Sequence, residues 1–181
     1  MSFPAPTPPL QAWVGCISCY NNGYLIGRWV DAIDADSVTI ADLHKGLAKR
    51  DYMAFCEELW CLDHELPQRG EMSPARATAW GERLAEIDEV QLPAFLAWIR
   101  TGAHVVDADD LPIASAFEDS YCGHWDSFRQ YADEQVDALG LLRDAPEELS
   151  RYFDYSGYAR DLEMGHTVAG AEGGVFVFRD L

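Results

Sequence analysis

Positive charge is scarce in this sequence relative to negative. Its 181 residues carry 13 Lys and Arg against 31 Asp and Glu, a formal net charge of −18. No nucleic acid ligand is expected on that ground, and basic partners are favoured, because summed like charges steer oppositely charged molecules. No apolar run reaches the length of about eighteen residues that a membrane helix needs, so no membrane partner is expected. The opening, Met1 to Gln11, holds prolines but neither the basic nor the apolar region of a secretory signal, and residues 1–11 are expected to be a flexible leader. Five cysteines (Cys16, Cys19, Cys56, Cys61 and Cys122) are an odd number without such a signal, so reduced thiols in the cytoplasm are the expectation. There is no phosphate-cradling loop: Gly170 to Gly174 lacks the lysine and the following helix.

Apolar residues are present in quantity. They make up 49% of the chain, enough for packed cores despite the charge. The acids are unevenly spread. From His104 to the end, 17 acids face 5 Arg, so 5 − 17 gives −12, while the preceding 103 residues carry 14 acids and 8 bases, a net of −6.

The patterning predicts an α+β protein. In residues 12–63, Ala12 to Cys19 and Tyr24 to Val30 read as strands of a hairpin around Asn21-Asn22-Gly23. Ser37 reads as the cap of a helix carrying Ile40, Leu43 and Leu47, and Leu59 to Leu62 as a third strand. In residues 64–103, Ser73 caps a helix with Pro74 at its first position and Trp80, Leu84 and Ile87 on its apolar side. A second helix, Gln91 to Arg100, offers Leu92, Phe95, Leu96 and Ile99 and closes at Gly102. In residues 104–181, Trp125, Phe128, Ala132, Val136 and Leu139 follow helical spacing up to Gly140. Asp144 and Glu147 read as a capping box beside Pro146, before an apolar stripe of Leu149, Tyr152 and Phe153. Tyr158, Ala159 and Leu162 mark a last helix, and His166–Ala169 with Val175–Phe178 a closing hairpin. The expected domains are thus the leader, an N-terminal module with a small antiparallel sheet and a helix, a central helical module, and an acidic C-terminal module with helices and a small sheet.

On the helix expected near 125–139, Asp126, Asp133 and Asp137 fall on one face opposite the aromatic stripe, spread over roughly 16 Å. Duplex DNA carries one charge per about 1.7 Å of axis, so three carboxylates are a sparse copy of a phosphate line. Glu134, Asp144, Glu147, Glu148, Asp154, Asp161 and Glu163 can thicken it. Charge alone favours the plain reading of a solvated helix face. Glu147 and Glu148 also suit the positive end of a helix dipole.

Other constellations point less clearly to chemistry. Cys16-x-x-Cys19 with Cys56 and Cys61 is a candidate zinc set, but on a single strand Cys16 and Cys19 would face opposite sides, so buried thiols and no metal are expected. Asp63-His64-Glu65 reads as a boundary loop. Cys122 and His124 lack an orienting third group, and no carboxylate pair is singled out by an apolar setting. Trp13, Trp29, Trp125 and Tyr121 read as core and hinge aromatics rather than an exposed binding surface. No catalytic residue and no cofactor is therefore expected.

Several separated motifs, in order, resemble the ArdA antirestriction family. They are Tyr20-Asn21-Asn22-Gly23 with Gly27-Arg28-Trp29-Val30-Asp31-Ala32, and Phe117-Glu118-Asp119-Ser120-Tyr121-Cys122-Gly123-His124-Trp125-Asp126-Ser127-Phe128. They continue through Leu142 to Asp154, Tyr155, Tyr158-Ala159-Arg160-Asp161-Leu162-Glu163 and Gly174-Val175-Phe176-Val177-Phe178-Arg179. Cys122 and His124 depart from the family pattern, and the middle module, with Arg69, Arg76, Arg83 and Arg100, is the least similar. The resemblance implies an elongated, three-domain, dimeric mimic of bent B-form DNA, carried on mobile elements, that fills the DNA-binding groove of type I restriction-modification enzymes in the cytoplasm. Asp119, Asp126, Asp133, Glu134, Asp137, Asp144, Glu147, Glu148, Asp154, Asp161 and Glu163 would then stand in for phosphates. Leu142, Pro146, Leu149, Tyr152 and Phe153 would form or border the homodimer contact. Other classes left open are an acidic adaptor for another basic DNA-binding protein and an acid/base hydrolase using a carboxylate pair.

Overall fold

In the computed structural model, residues 10–48 and 54–181 are described. Of the expected leader, residues 1–9 lie outside the described residues, while Gln11 already belongs to a strand. The chain divides into two compact units, Met1–Leu92 and Pro93–Leu181. Each holds one three-stranded antiparallel sheet with helices, as the α+β patterning predicts.

The first unit is built on strand β1 (Gln11–Cys16), which lies between β2 (Gly27–Asp31) and β3 (Leu59–His64). Ala12, Val14 and Cys16 alternate along β1 and are all fully buried, so one face of the strand makes the core. Cys61 of β3 pairs with Val14 and is buried too, and loss of solvation pushes its thiol up to about 11. Helix α3 (Pro74–Ala85) starts where the sequence places it. Ser73 accepts from the Arg76 N–H at 3.2 Å, Pro74 opens the first turn, and Trp80, Leu84 and the following Ile87 are buried. The helix packs on a 3-10 segment, Ala32–Ser37. Thr78 ties the two by donating its hydroxyl to the Ala32 carbonyl and accepting from the Asp36 N–H.

Two expectations in this unit fail locally. The hairpin exists, but β1 stops at Cys16 and the chain coils into a short helix, α1 (Ile17–Asn21), instead of running straight to a tight turn. Hydrogen bonds from the Asn22 backbone and side chain to Ser18 and Cys19 carbonyls stabilise that coil. Ser37 caps nothing: it ends the 3-10 segment. Thr39 caps α2 (Ile40–His44) instead, in a reciprocal capping box with Asp42, and Leu47 lies past the helix. The Thr39 hydroxyl beside it lowers the Asp42 carboxyl below its usual range.

The second unit centres on β6 (Gly174–Arg179), flanked by β4 (Tyr121–Trp125) and β5 (His166–Ala171). Against it packs an aromatic cluster. Phe95 and Trp98 of α4 (Leu92–Thr101) meet Phe117 of α5 (Ala114–Ser120) at ring separations of 5.2 and 5.7 Å. Phe117 stacks on Tyr121, which lies 5.8 Å from Phe178. Burial of such rings stabilises by roughly 1.5–3 kcal/mol each. The Tyr121-Cys122-Gly123-His124-Trp125 segment is a bulged edge strand: Cys122 has no partner on β6, and Gly123 takes a φ of 110° that other residues rarely adopt. The Trp125 indole N–H closes the bulge by donating to the Cys122 carbonyl at 2.9 Å. Three further helices, α6 (Phe128–Ala138), α7 (Glu147–Arg151) and α8 (Tyr155–Glu163), complete the unit.

Gly81 tests the packing of α3. A helix-interior glycine replaced by alanine ordinarily gains about 0.5–1 kcal/mol. Here the added methyl would collide with the backbone of Ala32 and Ile33. Gly81→Ala is therefore expected to lower the urea midpoint of the first unit. A midpoint raised by the usual helix-propensity gain would show that α3 does not approach the 3-10 segment so closely.

Candidate partner-binding surface

The acids named from sequence are carried mostly by α5, α6, α7, α8 and the turns between them. Ten of the eleven are exposed; Asp133 is half-buried. Helix α6 shows how the arrangement arises. Ser127 accepts from the Gln130 N–H and starts the helix; Tyr131, Ala132 and Val136 are buried. At 100° per residue, Asp133, Glu134 and Asp137 then span about 100° of the opposite, outward face. Apolar burial on one side thus fixes where the carboxylates point.

Asp126 does not belong to that face. It precedes the Ser127 cap, and its N–H donates to Gln130 Oε1 at 2.9 Å. Trp125 likewise sits on β4, so the helical spacing that seemed to run from Trp125 spans a strand end and a helix. The Asp144–Glu147 capping box is absent, because the helix begins later than the box requires: Pro146 is its N-cap, without a side-chain bond. Glu147 and Glu148 occupy the first turn of α7, where the dipole favours them, and Glu147 pairs with Arg151 at 3.0 Å. Asp154 is a cap. Its carboxylate accepts from the Ser156 and Gly157 N–H groups at 3.1 and 2.9 Å and opens α8. Asp161 and Glu163 lie exposed on α8, and Asp119 exposed on α5.

Arg129, which sequence reasoning passed over, ties α6 to α8. It pairs with Asp133 at 2.8 Å, donates to the Ser156 hydroxyl at 2.8 Å and lies over the Tyr155 ring. A second tie runs from α6 to the sheet. The Tyr131 hydroxyl meets His166 Nε2 at 3.1 Å, while His166 Nδ1 donates to the Leu162 carbonyl. Burial raises the Tyr131 hydroxyl well above the usual phenol range, so it stays neutral. Neither tie has a local sequence signal, because the partners lie 27 and 35 residues apart.

The apolar motif residues do not form the expected helical stripe. Helix α7 ends at Arg151 and buries nothing; Leu149 is 64% and Tyr152 83% exposed. Leu142 is half-buried and Pro146 exposed. Phe153, half-buried, meets Tyr155 edge-on at 4.8 Å and Tyr158 at 6.0 Å. Among the four aromatics read as core and hinge, Trp13, Trp125 and Tyr121 are half-buried, but Trp29 is 45% exposed.

No helix among the described residues is long and apolar enough to cross a membrane. Fold and surface together define an acidic α+β protein that presents its carboxylates to solvent. The family model described as Antirestriction protein (ArdA) matches residues 12–177, and the chain belongs to that family. Compared with individual curated proteins, it gives no match. Membership makes it an antirestriction protein, of a family of inhibitors rather than enzymes.

Two acids of the second unit separate structure from surface charge. Asp154→Ala removes a helix cap and is expected to cost about 1 kcal/mol in urea unfolding. Asp137→Ala is expected to stay within about 0.5 kcal/mol of the parent. Equal effects of the two substitutions would contradict this division.

Proposed function

We propose that this protein blocks restriction by occupying, in place of DNA, the DNA-binding groove of a type I restriction-modification enzyme. The observation that carries the reading is the outward display of carboxylates on the second unit. Residues 93–181 hold 17 acids and 6 Arg, a net of 6 − 17 = −11. Among the described residues, Asp133 and Glu147 are the two of the eleven named acids in ion pairs. The charge of the other nine named acids therefore supports attraction to a basic groove. Two copies would carry −36, the charge of roughly 60 Å of duplex at about 1.7 Å per charge.

No single carboxylate dominates a field of this kind. Asp126→Lys, Glu134→Lys and Asp137→Lys are expected to weaken inhibition of a purified type I enzyme by less than about tenfold each and to accumulate when combined. Inhibition is also expected to fall as salt rises. Complete loss from one reversal in a folded protein, or binding that duplex DNA cannot displace at low salt, would sink the groove reading.

The same reading supplies an occupant for the apolar residues of the motif. Leu149 and Tyr152, with Leu139 and Leu141 before them, are covered by a second copy of the chain, giving a homodimer. Because they are exposed in the single chain, Leu149→Glu and Tyr152→Ala are expected to leave thermal melting of the dilute protein unchanged while shifting sedimentation toward the monomer. A protein that sediments as a monomer at all concentrations before any substitution would overturn the dimer.

A further inference from the structure

Three thiols and one imidazole meet at the end of β1, in a part of the molecule that the acidic surface does not use. Sγ of Cys16, Cys19 and Cys56 and a ring nitrogen of His44 all lie within 4.8 Å of one another. Cys19 Sγ is 3.8 Å from Cys56 Sγ and 3.4 Å from His44 Nε2. From these contacts we propose that Cys16, Cys19, Cys56 and His44 hold one zinc ion in a structural centre.

The Cys19–Cys56 and Cys19–His44 separations are close to those of a zinc tetrahedron, and the whole set, within 4.8 Å, needs only a small inward shift to close on an ion. With Zn–S of about 2.3 Å and Zn–N of about 2.0–2.1 Å, tetrahedral angles put two sulfurs about 3.8 Å apart and a sulfur and a nitrogen about 3.6 Å apart. A thiol–thiol contact needs no fourth group, and a thiol–imidazole hydrogen bond needs no further sulfur. Four donors gathered within one coordination sphere, three of them soft, match the donor set of closed zinc sites.

The fold, not the sequence spacing, assembles the set. The reading that Cys16 and Cys19 face opposite sides assumes a strand through both. The strand ends at Cys16, the chain coils into α1, and both thiols become buried in the same place. His44 is the last residue of α2, and Cys56 precedes β3. Cys61, which spacing alone would enlist, is outside the group and lies in the β1–β3 pairing instead.

Helix α2 adds an independent reason. It has five residues, far below the length at which an isolated helix persists, and none of them is buried. Its capping box holds its start, while its end carries His44. A metal bond there would fasten α2 to β1 and to the entry of β3 at a single point. Binding would replace three S–H bonds by three Zn–S bonds, release three protons and add one bond from a neutral imidazole nitrogen, with no change of oxidation state. Four protein ligands leave no open position, so the centre would be structural.

The test is the metal content of the 181-residue chain, purified under reducing conditions without a metal-binding tag. About one equivalent of zinc per chain is expected. It should be retained in Cys61→Ser and Cys122→Ser, lost in Cys19→Ser and Cys56→Ser, weakened in His44→Ala and restored in His44→Cys. If the serine variants fail to fold, the parent protein answers alone. After chelation it should bind cobalt(II) with the absorption of a tetrahedral thiolate site. Metal-free protein that takes up no cobalt would overturn the proposal. So would zinc that survives Cys19→Ser, or a Cys19–Cys56 disulfide found by mass spectrometry in protein purified without reductant.

Discussion

Seventeen carboxylates in the second unit repel one another, and an uncharged frame has to hold them in place. Like charges one helical turn apart, such as Asp133 and Asp137, destabilise by about 0.2–0.5 kcal/mol per pair. A handful of such pairs amounts to a few kcal/mol. Against them stand Phe95, Trp98, Phe117 and Phe178, all essentially fully buried, each worth roughly 1.5–3 kcal/mol. The aromatic cluster therefore outweighs the repulsion, and the helices that display the acids can stay ordered.

Across the two units the acids fall into two kinds. Asp154 and Asp42 accept hydrogen bonds from backbone donors at helix starts, and Glu147 sits in a first turn beside Arg151. The first two satisfy backbone groups that a helix end leaves open, and the third suits the dipole of its first turn. Glu134, Asp137, Asp161 and Glu163 lie on outward faces, where their contribution is to the field. Composition counts both kinds alike, so the formal charge overstates how many acids are held only by solvent.

What could be read from sequence, and what could not, follows the range of the interactions. Ser73-Pro74 and the apolar spacing of Trp80, Leu84 and Ile87 define α3, because the cap and the stripe are local. The closing hairpin was legible for the same reason: alternation on both sides of a glycine-rich turn. The errors sit where one period gives way to another. Trp125 and Asp126 continue the spacing of α6 by coincidence while belonging to the strand end and the cap before it. Asp144 and Glu147 have the spacing of a capping box, but Pro146 takes the N-cap position. The acid-bearing helices were thus visible, whereas the Arg129 and Tyr131 ties that orient them depend on partners far along the chain.

The means of stiffening such a protein are themselves constrained by charge. Each Lys or Arg added to brace a helix would cancel one unit of the field that attracts a basic groove. Ring packing, caps made by acids and glycine-permitted close contacts add no positive charge. A zinc ion on three thiolates and one imidazole carries 2 − 3 = −1 overall. It would therefore brace the first unit without diminishing the net negative charge. Lysine and arginine are the obvious residues for bracing an acidic surface, and this sequence holds 13 of them against 31 acids. Apart from pairs such as Arg129–Asp133 and Arg151–Glu147, its order rests on contacts that leave the carboxylates uncancelled.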